Sequence, residues 1–340
     1  METLDSYSAL LEEKISEFFA AHRSGADHPS AADIYSALEE YCLRKGKRIA
    51  SYTTLLTYRG YGAADGRILW ACLGIEFYRH GILIHDDIVD EDAERRGGRA
   101  FHRLFHGEER LGRGIALFAG NLLYAHALGA LARGGFRRDK QERVRSLLID
   151  EYRNVNESQC LDLFFEYGEP SLEEWRSMAS KRAASLFRAT MLTGAVLADA
   201  PEGELPVLEK AAMEIGYSFD ITDDIIGSFA DEEEYGRPPG GDIILGKKPL
   251  HVVHAYTLLR GGDRGEFRRL LKKRSLTQEE VERVKELIIR CGALEEAKSD
   301  SRRHAEAAKD ALAETSMSAE AKEKFTGLID YVSESLDWYK

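Results

Sequence analysis

Cysteine is scarce in this 340-residue chain. The four present, Cys42, Cys72, Cys160 and Cys291, form no Cys-x-x-Cys pair. That suits a cytoplasmic protein with reduced thiols. A basic excess is also missing. The formal net charge is −12, which speaks against a nucleic-acid partner. None of the ten histidines has glutamate three residues before it, so a di-iron carboxylate bundle lacks its ligand pattern. No convincing run alternates apolar and polar residues as a half-buried strand does. The opening stretch "METLDSYSALLEEKISEFFAA" is too charged for a signal peptide. One uncharged run of 19 residues, 114–132, approaches the length of a membrane span. Asn121 and His126 fall inside it and small residues dominate, so it reads as a helix buried at the centre of a soluble protein, with no transmembrane segment.

Helical periodicity is abundant. "YSALLEEKISEFFA" sets Leu10, Leu11, Ile15, Phe18 and Phe19 on one stripe, and similar stripes recur to the C-terminal region. Ser171 with Glu174, and Thr277 with Glu280, have the spacing of capping boxes. The breaks, such as "RGYGAADG", "DAPEGELP" and "YGRPPGGD", are short, and none resembles an interdomain linker. The reading is a single all-α domain over residues 1–340, a bundle of roughly ten or more helices.

The chemistry concentrates in two acidic runs. In "GILIHDDIVDEDAERRGGR", Asp86 and Asp90 are one turn apart and share a helix face, with Asp87 beside them. The flanking sequence is apolar, which points to a buried helix end and away from a solvated surface. Crowded carboxylates repel unless a cation sits among them, and an all-oxygen set suits Mg²⁺. "FDITDDIIGSFAD" repeats the arrangement with Asp220, Asp223 and Asp224. Two such helix ends, if they face each other across a bundle, form a clamp for metal ions that holds a diphosphate and neutralises it as it leaves. Cations accompany both runs: Lys45, Lys47 and Arg48 upstream, Arg95, Arg96 and Arg99 after the first, and Arg237, Lys247 and Lys248 after the second.

Taken together, these motifs resemble the trans-isoprenyl diphosphate synthases, or polyprenyl synthases, from about Lys45 to Pro249. "DDIVDEDAERRG" is similar to the family's first aspartate motif, and "FHRLF" to the stretch after it. "QCLDL" is similar to its Gln-x-x-Asp pattern (Gln159, Asp162), "KRAASLF" to its Lys-Thr segment (Lys181), "FDITDDIIGSF" to its second aspartate motif, and "GRPPGGDIILGKK" to its glycine-lysine loop (Asp242, Lys247). The resemblance implies an all-α isoprenoid-synthase fold around a central cavity, and a homodimer. It implies three Mg²⁺ ions bound by Asp86, Asp87, Asp90, Asp162, Asp223 and Asp224, with Lys181 and Lys247 completing the catalytic set. Substrate contacts are implied for Lys47, Arg48, Arg79, Arg95, Arg96, Gln159, Phe219, Asp220, Arg237 and Lys248. The substrates implied are isopentenyl diphosphate and an allylic diphosphate (dimethylallyl, geranyl or farnesyl).

Several positions depart from the family pattern. Ala50 stands where an arginine for isopentenyl diphosphate is expected, and Arg79 where histidine or glutamine is usual. Arg182 replaces a threonine, Asp220 a glutamine, Gly227 an aspartate, Pro249 a threonine and Asn121 an aspartate. Arg79 is expected to supply the guanidinium missing at position 50. The growing tail is expected along the helix before Asp86. Gly81 and Ile82 are too small to block it, Tyr78 and Phe77 lie one turn deeper, and Phe118 on a neighbouring helix is a rival floor. This suggests a twenty-carbon product, with fifteen or twenty-five carbons as alternatives. Two other readings stay open at this point. One is a class I terpene cyclase, for which "DITDDIIGS" is a poor match; the other is a weak subunit partnering an active synthase.

Overall fold

The computed structural model describes residues 4–46, 48–105, 108–230, 240–273 and 275–334. Lys47 and Arg237, both expected to bind substrate, lie outside the described residues. The chain divides into two compact units. The first is Met1–Ser146 with Thr193–Ala200, the second Leu147–Leu192 with Pro201–Lys340.

The first unit is built from α1 (Leu4–Ser24), α2 (Pro29–Leu43), α3 (Ile49–Gly60), α4 (Ile68–Val89) and α5 (Glu109–Arg133). On α1 the buried stripe is Tyr7, Leu11, Ile15, Phe18 and Phe19; Leu10 is 40% exposed, one position off the expected stripe. The closest packing is between α4 and α5, and glycine makes it possible. A Cβ on Gly74 would come within 2.9 Å of the Ala127 carbonyl oxygen, one on Gly81 within 2.9 Å of the Gly120 carbonyl oxygen, and one on Gly120 within 2.3 Å of His85 Nε2. Small residues at a crossing let two backbones approach and bury the flanking apolar groups.

Only one face of α5 is covered. Ala116, Ala119, Leu123 and Ala127 are buried, while Leu111, Leu117, Phe118 and Leu122 are exposed. The 114–132 run is therefore helical as expected but not buried all round. This helix is long and apolar enough to cross a membrane by length and composition.

A short β pair, absent from the sequence reading, follows α4. Strand β1 (Glu94–Arg95) runs antiparallel to β2 (Gly98–Arg99). The two residues between them, Arg96 (φ 54°) and Gly97 (φ 75°), are both left-handed, as the tight hairpin turn that matches strand twist requires. Two-residue strands are too short to show alternation.

The helices α6 (Arg138–Glu166) and α8 (Ala183–Leu197) pass through the boundaries of the two units. The second unit also holds α7 (Leu172–Ala179), α9 (Leu205–Phe229), α10 (Gly241–Leu245), α11 (Leu250–Leu258), α12 (Gly261–Leu271), α13 (Gln278–Arg290), α14 (Ala293–Ala313) and α15 (Ala319–Glu334). Both expected capping boxes form, at Ser171–Glu174 and Thr277–Glu280. Against α9, α14 presents small residues, and Ser301 bonds to Ser218 Oγ at 3.0 Å and Thr222 Oγ1 at 2.8 Å. Gly216 of α9 meets the start of α8, where a Cβ would come within 2.2 Å of Ala184 Cα. These close approaches hold the acidic part of α9 against α8.

Candidate active site

In the first unit the site grows from the end of α4. Helical geometry puts Arg79, Ile82, Asp86 and Asp90 along one face. Asp87 is rotated about 100° away and does not join the metal-facing pair. Its carboxylate is buried, accepting from Tyr41 Oη at 2.8 Å and from Arg95 Nε at 2.5 Å. Burial pushes it up to about 6, although Arg95 and Tyr41 both oppose the shift. The expectation of Asp87 as a metal ligand is thus corrected, because both of its oxygens are already committed.

Arg95 ties the cluster together. Beside Asp87, its Nη2 donates to Asp92 at 2.7 Å and reaches Asp86 at 3.4 Å. Expected as a substrate contact, it braces three carboxylates. The hairpin that delivers it is held by Arg44, whose Nη1 donates to the carbonyls of Arg95 (3.2 Å) and Arg99 (2.8 Å). Gly98 leaves room for that guanidinium, since a Cβ there would lie 2.7 Å from Arg44 Cζ.

The left-handed turn at Arg96 sends its side chain inward. Arg96 Nη1 donates to His80 Nε2 at 3.2 Å. His80 Nδ1 donates in turn to the Glu76 carbonyl at 2.8 Å. Burial and the nearby Arg96 hold His80 down at about 3, so the ring is neutral, which fits these roles. Burial and then Arg79 lower Arg96 to about 10. Arg79 and Arg96 are therefore neighbouring like charges, as an anion site requires. Arg48 behaves differently. Its buried guanidinium donates to Glu76 Oε2 at 3.2 Å, and Ser51 Oγ donates to Glu76 Oε1 at 2.6 Å. Burial raises the Glu76 carboxyl, but Arg48 and then His80 outweigh it and bring it to about 2. Arg48 is a core ion-pair residue and not a substrate contact. Sequence reasoning missed Glu76 and His80; their position one turn apart among apolar neighbours was the only available signal.

The expected tail pocket is partly reassigned. Phe77 packs on Phe18 (4.7 Å between centroids) and Phe19 (5.2 Å), away from the Asp86 face. Gly81 faces the α5 backbone and has no pocket to line. Tyr78 is buried, 6.3 Å from the Tyr124 ring of α5. Phe118 is 67% exposed, beside Ile34, Ile115 and Leu122 in a shallow apolar depression.

In the second unit Asp162 (α6), Arg182 and the aspartates of α9 come together. Arg182 Nη2 donates to Asp220 Oδ2 at 2.7 Å and Asp224 Oδ2 at 3.1 Å, while Nη1 lies 4.0 Å from Asp162 Oδ1. Burial raises the Asp220 and Asp224 carboxyls against the pull of Arg182. Phe219 packs on Phe187 with centroids 5.4 Å apart. Gln159 is half-buried on α6. Lys181 pairs with Glu157, and Lys247 with Asp242 at 3.4 Å.

Lys248 corrects another expectation. It is 1% exposed and donates to the Gly246 carbonyl and, at 3.3 Å, to the Glu166 carbonyl that ends α6. A helix C-terminus leaves carbonyls unpaired and favours a cation. Burial lowers this lysine to about 8. Lys248 therefore caps α6 and is not a substrate contact.

Among the described residues, no three His, Cys, Asp or Glu side chains form a ready-made metal cage. The donors present fit Mg²⁺ all the same, since this ion commonly takes one or two carboxylates and completes its shell with water and substrate phosphates.

Residues 32–288 match the polyprenyl synthetase family model. A short chain isoprenyl diphosphate synthase of Methanocaldococcus jannaschii is 33% identical over 255 residues, 75% of this chain and 76% of the relative. One from Methanothermobacter thermautotrophicus is 30% identical over 335 residues, 98% of each chain. The crystal structure of a geranylgeranyl pyrophosphate synthetase from Pyrococcus horikoshii superposes with a TM-score of 0.86 at 27% identity, covering 98% of this chain and 97% of that one. These likenesses favour neither the cyclase reading nor the inactive-partner reading. The chain belongs to the polyprenyl synthetase family and is a trans-prenyltransferase that condenses prenyl chains.

Proposed function

We propose that the protein joins isopentenyl diphosphate to an allylic diphosphate, with geranylgeranyl diphosphate as its main product. The observation that carries this reading is the face of α4, where Asp86 and Asp90 lie one turn apart and Arg79 lies beside Arg96. Asp86 and Asp90 in the first unit, and Asp223 with Asp162 in support in the second, are the carboxylates that would hold Mg²⁺. When bound, Mg²⁺ supplies Lewis-acid charge that offsets the negative charge of the departing diphosphate.

The chain's own residues do the remaining work. Arg79 and Arg96 hold the diphosphate of isopentenyl diphosphate and set its double bond against the allylic carbon. Lys181 and Lys247 donate to the allylic diphosphate. The carbon–oxygen bond of the allylic substrate breaks and the isopentenyl double bond attacks the resulting carbon. A proton then passes to the released diphosphate. Ile82, one turn before Asp86, borders the tail, and Tyr78 closes it one turn deeper. The exposed apolar row on α5 supports a homodimer with a second copy of this chain over Leu117, Phe118 and Leu122. The four free cysteines support a cytoplasmic setting.

Replacing Asp86 or Asp223 with alanine tests the metal assignment. Each variant is expected to lose at least about 100-fold in kcat/KM with an unchanged helical circular dichroism spectrum. Near-normal turnover in either one overturns the assignment.

A further inference from the structure

Arg44, Arg48, Arg95 and Arg182 are each held by carboxylates: Glu40, Glu76, the Asp86–Asp87–Asp92 group, and Asp220 with Asp224, in turn. Arg96 is held differently. Among the described residues it pairs with no carboxylate, and its hydrogen bond goes to an uncharged ring, His80 Nε2 at 3.2 Å. Glu76 acts on it electrostatically but is already taken by Arg48 and Ser51.

The tautomer of His80 follows from its partners. The Glu76 carbonyl can only accept, so Nδ1, 2.8 Å away, carries the hydrogen. In the neutral ring that leaves a lone pair on Nε2, to which Arg96 Nη1 donates. The ring is 0% exposed, so water does not compete for either bond. The surroundings are shaped to bring the guanidinium there. The left-handed turn at Arg96 (φ 54°) aims the side chain inward. Gly46 leaves room for it, since a Cβ there would come within 2.8 Å of Arg96 Nη1.

A carboxylate at position 80 would grip Arg96 more tightly, but it would cancel the charge and compete with an anion for the N–H groups. A neutral acceptor fixes the guanidinium through one nitrogen and keeps its charge, beside the like charge of Arg79.

We propose that His80 is a positioning residue for isopentenyl diphosphate: through Nε2 it fixes the Arg96 guanidinium without neutralising it. The inference rests on the prenyl synthase reading, in which Arg96 contacts that substrate. Arg79 supplies one charge of the anion site, and the next residue along α4 places the other.

The experiment is steady-state kinetics of the full chain with isopentenyl and geranyl diphosphate varied in turn. His80→Asn keeps an amide donor near the Glu76 carbonyl but is too short to reach Arg96. His80→Gln sets an amide oxygen near the place of Nε2. In His80→Asn, KM for isopentenyl diphosphate is expected to rise at least about fivefold. Its kcat and its KM for geranyl diphosphate should stay within about twofold of the wild type, as should all three constants of His80→Gln. In an Arg96→Lys background, His80→Asn should add no further rise, because its effect passes through Arg96. An unchanged KM for isopentenyl diphosphate, an equal rise for both substrates, or the full rise repeated in the Arg96→Lys background overturns the inference and leaves the prenyl synthase reading standing. If the wild type does not elongate geranyl diphosphate at all, that reading falls and the inference with it. Should His80→Asn not fold, as judged by circular dichroism, His80→Leu takes its place with the same expected and contrary results.

Discussion

Arg79 is the residue on which the proposed isopentenyl diphosphate contact turns. It lies on the Asp86 face and adds to the burial that lowers Arg96 to about 10. Ala50, where an arginine was expected, is 1% exposed and sits in the fully packed start of α3. If Arg79 carries the isopentenyl contact, Arg79→His should raise KM for isopentenyl diphosphate at least about tenfold and leave KM for the allylic primer within about twofold. Steady-state kinetics with each substrate varied in turn checks this; equal effects on both substrates count against it. Glu151 gives a pH prediction of a different kind. This buried α6 carboxyl accepts from Ser185 Oγ, and burial raises it to about 8 despite Ser185 and Arg188. The folded state therefore keeps it protonated where the unfolded chain has lost the proton. Its contribution to stability is full below about 4.5 and is lost as pH rises through about 8, at up to about 1.4 kcal/mol per pH unit. Denaturant titrations between pH 5 and 8 should show the wild type falling relative to Glu151→Gln. Parallel curves would contradict a neutral Glu151.

At the scale of elements, α4 explains which residues bear on product length. Its α5-facing side carries Gly74, Gly81 and His85, its α1-facing side Phe77, and its third side Arg79, Ile82 and Asp86. A Phe at Gly81 would strike the α5 backbone, so this change should damage the fold and not set chain length. Even Gly81→Ala should be destabilising, by about 1–3 kcal/mol. Ile82→Phe should shorten the product towards fifteen carbons, and Tyr78→Ala should lengthen it, both read by mass spectrometry of the extracted diphosphates. An unchanged distribution in both would place the floor elsewhere. The helices and caps were legible in the sequence because periodicity and capping spacing are local. The faces of α4 were not. Asp87 and Gly81 follow the pattern of the motif, but Tyr41, Arg95 and the α5 backbone decide where each points, and those partners are distant in sequence. The β pair was missed for its brevity. Lys248 was misread because a cap on the end of α6 from 82 residues away leaves no mark in a basic dipeptide.

For the molecule as a whole, the two acidic groups differ in construction. The first is braced by Arg95 from a hairpin and leaves Asp86 and Asp90 aligned, whereas the second carries its own guanidinium. Both are oxygen-only donor sets with cations close by, which is the composition required to bind a metal-complexed polyanion. Chelation should therefore abolish turnover without unfolding the chain, since no described metal cage holds the fold together. Activity lost in EDTA and regained on adding Mg²⁺, at a constant helical signal, is the expected outcome. The most direct measurement is a product assay. Purified protein is incubated with Mg²⁺, isopentenyl diphosphate and dimethylallyl, geranyl or farnesyl diphosphate in turn, and the products are identified by mass. The account predicts a diphosphate ester longer than the primer by whole five-carbon units in each case, ending mainly at twenty carbons. Primers that are returned unchanged, or converted to hydrocarbons or alcohols without elongation, would contradict it.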